Sequence, residues 1–102
     1  MWWVDFDPQL GREQAGLRPA IVVGSSLACS LPNGLAIVVP MTTRDRGLPF
    51  HPPVRLGNKT GFAMTDQIKS VSVERLQRPH RHALTSDDVG SVKFALRRML
   101  DL

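Results

Sequence analysis

Cysteine is almost missing from this 102-residue chain: Cys29 stands alone, so no internal disulfide can form. Three histidines beside one cysteine are too few and too scattered for a structural zinc site. Tyrosine is absent, and the aromatic supply is 2 Trp and 4 Phe, so any stacking of nucleobases must rest on few rings. Long apolar runs are absent as well. Asp5 and Asp7 interrupt the apolar start at once, and no window approaches the roughly 18 residues of a membrane helix. Disulfide scaffolds, zinc modules and membrane spans are thereby excluded. A cytoplasmic, soluble protein with no metal and no other cofactor is expected.

What remains is a folded domain. At 42% hydrophobic, 22% charged and a mean hydropathy of -0.10, the composition is far from that of disordered chains. The length predicts one domain over residues 1–102 with a small core, to which subunit association can add stability. Acidic charge is in short supply, 9 Asp and Glu against 13 Lys and Arg, for a net +4. Its distribution is uneven. Residues 1–43 hold Arg12 and Arg18 against Asp5, Asp7 and Glu13, a balance of -1. Residues 44–82 hold eight basic side chains against Asp45, Asp66 and Glu74, a balance of +5, and residues 83–102 are neutral. A basic segment on a small domain points to nucleic acid, although solvation alone explains any single Lys or Arg.

Trp2 to Phe6 alternates as a strand should, and Pro8 stops it. Gly11 to Pro19 reads as a loop longer than a hairpin needs. Ala20–Val23 and Leu35–Val39 suit buried strands, and Thr42–Gly47 is a second polar loop. Phe50–Leu56 can be extended but carries Pro52 and Pro53, and must be an edge strand or an irregular one. Gly61–Met64 and Ile68–Val73 complete the β-rich part. Thr85 followed by Asp88 predicts a helix cap, with a helix over about 86–100. Its stripe of Val89, Val92, Leu96, Met99 and Leu100 reads as core. Five or six strands and one terminal helix predict a small, partly closed barrel.

Four ordered blocks carry a resemblance. Trp3-Val4-Asp5-Phe6-Asp7-Pro8, continued by Gly11-Arg12-Glu13-Gln14-Ala15-Gly16-Leu17-Arg18-Pro19-Ala20, is similar to the opening of the MazF/PemK (Kid) toxins of bacterial toxin–antitoxin modules. Val39-Pro40-Met41-Thr42-Thr43, Leu48-Pro49-Phe50 and Thr65-Asp66-Gln67-Ile68-Lys69-Ser70 resemble the family's later landmarks, in family order. The resemblance implies an SH3-like small barrel of the CcdB/PemK type with a C-terminal helix, working as a homodimer. It implies a metal-independent, sequence-specific endoribonuclease for single-stranded RNA (messenger, transfer or ribosomal) and a cognate MazE-like antitoxin. Family members carry several residues before the Trp, so either the first strand is short or the natural start lies upstream. Where some members have an Arg two residues before the block's Asp, this chain has Met64, which disfavours a two-arginine mechanism.

Metal-free RNA cleavage runs through the substrate's own 2′-hydroxyl, which DNA lacks, and needs proton removal, charge stabilisation on phosphorus and help to the leaving oxygen. By resemblance, Arg18 and Thr42 are the catalytic pair. A guanidinium holds non-bridging oxygens in a fork, and a hydroxyl donates to the same phosphate. Glu13 is the expected proton acceptor, with Asp66 as rival. Arg12, Gln14, Thr43, Arg44, Phe50, Asp66, Gln67 and Lys69 are the expected RNA contacts. Each has a structural alternative: Arg18 pairs with a carboxylate, Thr42 closes a turn, Asp66 caps one. His80 and His82 read as part of a basic, solvent-facing loop rather than as ligands, Cys29 as a free thiol, and His51 as a solvent-facing strand residue or an RNA contact. Two other functions fit the composition: a gyrase poison of the CcdB type, whose Trp-Gly-Ile tail is replaced here by Met99-Leu100-Asp101-Leu102, and a non-catalytic RNA- or protein-binding barrel.

Overall fold

Trp2, Val4 and Phe6 alternate onto one face of the first strand and seed a buried cluster with Ala20, Val22, Ala36, Val38, Val71 and Leu76. The computed structural model describes residues 1–6, 16–24 and 34–102; the readings placed on Arg12, Glu13, Gln14 and Cys29 fall outside them. Within the described residues the strands are β1 Trp2–Asp5, β2 Leu17–Val22, β3 Leu35–Thr42, β4 Pro53–Leu56, β5 Lys59–Ala63, β6 Lys69–Ser72 and β7 Leu76–Pro79. Short 3-10 turns cover Thr65–Gln67 and Val73–Arg75, and helix α1 runs Ser86–Leu100. Every pairing is antiparallel, in the order β4-β5-β3-β2-β1-β7, with β6 also beside β3.

β3 is shared by the whole fold. It pairs with β2 through Ala20↔Pro40, Ile21↔Val39 and Val22↔Val38, with β6 from Leu35↔Ser72 to Val38↔Lys69, and with β5 at Met41↔Ala63 and Thr42↔Phe62. Its Val38–Met41 run is buried, as expected of a strand covered on both faces. The second face belongs to a cluster of Ile21, Val39, Met41, Val54, Ala63 and Val92, with Leu96 of the helix packed against it.

Several boundaries differ from the sequence reading. β2 begins at Leu17, not Ala20, because β1 offers partners for Arg18 at Val4 and for Leu17 at Asp5. β3 runs through Pro40 to Thr42, because Pro40 needs no amide hydrogen where it lies and its carbonyl accepts from Met64 N–H at 2.9 Å. β7 was not foreseen as a strand: Leu76 alone packs on the core, and pairing with β1 across a register shift makes it a strand. The β4 edge position matches the reading of Pro52 and Pro53.

The helix begins as its sequence predicts. Thr85 Oγ1 accepts from Asp88 N–H at 3.1 Å, Asp87 and Asp88 lie in the first turn and Arg97 and Arg98 in the last. Asp88 Oδ2 also accepts from Arg55 N–H at 2.9 Å, tying α1 to β4. The predicted core stripe is only half right. Val92 is buried and Leu96 packs against the second cluster, whereas Met99 and Leu100 in the last turn are exposed; Phe94, outside the stripe, is 64% exposed.

The segment after β7 is a packed strap rather than a free loop. His80 stacks on Trp3 at 5.2 Å, Arg78 lies over the same ring at 5.4 Å, and His82 stands against the turn at Gly57. Gly57 has φ +69°, and a Cβ there would lie 2.5 Å from His82 Nε2. Gly57→Ala should therefore cost about 1–3 kcal/mol in urea unfolding, from backbone strain and the clash together. Burial, the leading cause, lowers the His80 pKa from the ordinary 6.5. The unfolded chain then takes up a proton there before the folded one does, so this part of the stability is present above about pH 6.5 and is lost as the pH falls through the window below it. Unfolding midpoints measured from pH 7.5 to 5 should fall more steeply for the parent than for His80→Gln.

Candidate functional site

Two prolines define where the site opens. Phe6 N–H donates to Gly16 O, and Val23 N–H donates to Ile37 O, both at 3.0 Å. Counting along β2 from these bonds, the main-chain nitrogen of Pro19 faces β3, where a donor would be needed to extend the ladder past Ala20↔Pro40. Pro19 has none, so the β2–β3 ladder ends there, while β3 runs on paired with β5 along its other edge. Carried two residues beyond its last pair, the same register sets Arg18 opposite Thr42. Alternation puts both on the face of Ala20, Val22, Ala36 and Val38, at the rim of the first cluster.

Other polar side chains meet them at this rim. Lys69, paired with Val38, lays its ammonium over the buried Phe6 ring at 5.4 Å from the centroid. Arg18 itself pairs across β1 with the fully buried Val4. Thr42 Oγ1 accepts from Arg44 N–H at 3.2 Å. The turn reading of Thr42 is thus real, and that bond leaves the hydroxyl hydrogen available for donation outward. Thr43 and Arg44 follow in an exposed loop that Asp45 shapes by accepting from Gly47 N–H at 2.8 Å.

The Thr65–Gln67 turn carries Asp66 and Gln67 beside β3, held by the Met64 N–H to Pro40 O bond. It is clamped to the Leu48–Pro52 segment. Thr65 Oγ1–H donates to Phe50 O, Ala63 N–H donates to Pro52 O at 3.0 Å, and His51 Nε2 meets Asp66 Oδ1 at 2.7 Å. His51 is therefore buried, 4% exposed, and the expectation of a solvent-facing residue is corrected. Turning inward lets its ring pack edge-on against Phe50. Asp66 does not cap its turn with its side chain, since the cap position is Met64 without a side-chain bond. Phe50 lines a cavity of about 330 Å³ with Pro49, Phe94, Arg98 and Met99.

The structure thus gathers Arg18, Thr42, Asp66, Gln67 and Lys69 near one end of the first cluster, with Thr43 and Arg44 on the adjoining loop. A guanidinium, an ammonium and a hydroxyl free to donate suit an anionic phosphodiester better than an apolar ligand, and the Asp66 carboxylate adds an acceptor beside them. Of the two readings of His51, the solvent-facing one is overturned by its burial; its position between Phe50 and two prolines was the available signal. Among the described residues, no three His, Cys, Asp or Glu side chains are gathered as a metal would require. No helix among them is long and apolar enough to cross a membrane.

Comparison with known proteins bears on this arrangement. A family model described as PemK-like, MazF-like toxin of type II toxin–antitoxin system matches residues 1–100. The chain is 43% identical to Endoribonuclease toxin MazF of Escherichia coli (strain K12) over 70 residues, 69% of this chain. That match spans 62% of the relative's length. Endoribonuclease MazF9 of Mycobacterium tuberculosis is 33% identical over 100% of this chain and 93% of its own. Among solved structures, MazF from Deinococcus radiodurans superposes with a TM-score of 0.80 at 28% identity, covering 99% of this chain and 92% of that one. A MazE–MazF structure from the same organism gives 0.76 at 28% identity, covering 99% and 91%.

Thr65 is fully buried, and its hydroxyl is the link from the turn to the Phe50 carbonyl. Thr65→Val should cost about 1–3 kcal/mol in chemical unfolding, because it leaves that carbonyl without its donor. Amide exchange should quicken at residues 48–52 and not along α1.

Proposed function

Because the chain belongs to the PemK-like, MazF-like toxins of type II toxin–antitoxin systems, we propose that it is an endoribonuclease that cuts single-stranded RNA at chosen sequences without a metal. What supports this reading is that the β2–β3 register, which ends at Ala20↔Pro40, carries Arg18 and Thr42 to facing positions just beyond the end of the ladder. The ribose 2′-oxygen attacks the adjacent phosphorus. The new 2′-O–P bond forms as the P–O5′ bond breaks, giving a 2′,3′-cyclic phosphate and a 5′-hydroxyl. Glu13 takes the 2′-hydroxyl proton, with Asp66 as the alternative acceptor. Arg18 holds the non-bridging oxygens and assists the leaving oxygen, while Thr42 donates to the same phosphate. Lys69, Arg44 and Arg12 add positive potential, and Gln14, Thr43, Asp66 and Gln67 supply donors and acceptors for base edges. Phe50 offers a stacking ring from the neighbouring loop.

The working form we propose is a homodimer, inhibited by a MazE-like antitoxin that covers the RNA groove. Surface for a second copy is present: Ile37, Leu100 and Leu102 are exposed around a groove of about 380 Å³ that Ile68 and Leu96 also line. Pairing two small barrels lengthens the basic groove to span several nucleotides.

Purified, antitoxin-free protein in EDTA should cut a long single-stranded RNA at a few sites and leave cyclic-phosphate ends. Inhibition by EDTA, duplex cleavage, or gyrase inhibition without RNA cutting would overturn the reading. Arg18→Ala and Thr42→Ala should each lower kcat by about 100-fold or more, with unchanged circular dichroism; full activity in either removes that residue from the mechanism. In sedimentation velocity the parent should run as a dimer and Leu100→Glu as a monomer.

A further inference from the structure

We infer that His51 is a positioning residue, which sets the Asp66 carboxylate for RNA through the Nε2 to Oδ1 hydrogen bond; the inference rests on the cleavage reading above. An ionised carboxylate can only accept, so Nε2 carries the donated hydrogen at 2.7 Å. The His51 side chain is 2% exposed, whereas Asp66 keeps 33% of its side chain open to solvent. The buried member therefore orients and the open member meets the ligand.

The other ring nitrogen shows that this is not space filling. His51 Nδ1 is buried and has no hydrogen-bond partner among the described residues. Burying a polar atom without a partner works against stability, and an apolar side chain of similar volume would avoid it. The position is thus tuned to donate to Asp66 at a cost in stability, as functional positions often are. The rest of the clamp makes the orientation matter. The Asp66 turn hangs on Pro40 through Met64 N–H, two residues before Thr42, and on the Phe50 carbonyl through Thr65. A carboxylate on such a turn still has two side-chain torsions to lose, and the His51 bond restrains them before RNA arrives.

The test is a double-mutant cycle on single-stranded RNA cleavage with His51→Leu, Asp66→Ala and the pair, with His51→Gln as the conservative variant. His51→Leu should lose about tenfold in kcat/KM while its melting temperature holds or rises. The pair should be no slower than Asp66→Ala alone, and His51→Gln, whose amide can still donate, should recover to within about threefold of the parent. Multiplying losses in the pair, parental activity in His51→Leu, or a loss of activity that tracks a loss of melting temperature overturns the inference. Absence of cleavage by the parent protein defeats the functional reading instead. The orienting bond is then judged by hydrogen exchange: faster exchange in His51→Leu confined to residues 48–52 and 64–67 upholds it, and unchanged exchange overturns it.

Discussion

The missing amide hydrogen of Pro19 is the constraint around which the molecule is arranged. An antiparallel ladder continues for as long as both strands offer donors and acceptors in turn. At Pro19 the donor is gone, the β2–β3 ladder stops at Ala20↔Pro40, and β3 runs on held only along its other edge, by β5. Pro40 makes the same exchange from the other side, giving its carbonyl to Met64 instead of continuing the β6 ladder. A sheet that would otherwise zip closed is held open over a short stretch. Arg18 and Thr42 occupy that stretch, supported by strands on both sides yet not consumed by pairing with each other. The site is rigid because its strands are packed below it in the Val4, Phe6 and Val38 cluster.

The second half of the site is built differently. The Asp66–Gln67 turn and the Leu48–Pro52 segment have little regular structure, so their geometry comes from side chains and crossing main-chain bonds: Thr65 to Phe50, Ala63 to Pro52, His51 to Asp66. Irregular backbone held this way is less stable locally than a ladder, which suits a surface that has to take up a ligand. One half of the site is thus supported by strands and the other by a clamp.

Much of this was legible in the residues. The alternation of Trp2, Val4 and Phe6, the apolar run of β3, the edge placement forced by Pro52 and Pro53, and the Thr85 cap all act locally, so their signals survive in the sequence. Four ordered motifs pointed to the family. The failures have long-range causes. β7 carries one core residue, and partnership with β1 across most of the chain makes it a strand. His51 looked exposed because nothing nearby in sequence announces Asp66 as its partner. Met99 and Leu100 fit the helical period but overhang the sheet, and period alone cannot say where the opposing surface ends. Pro19 and Pro40 read as strand breakers, which they are for one ladder and not for the other.

The register of β1 with β7 also bears on how the protein is made. Trp2 lies beside Pro79, and His80 N–H closes on Met1 O at 2.9 Å, so β1 acquires one of its two neighbours only after more than seventy intervening residues have been made. Pairings between such distant segments form late and slowly. A chain without β7 leaves β1 with an open edge, so the sheet is finished only when these two distant segments meet.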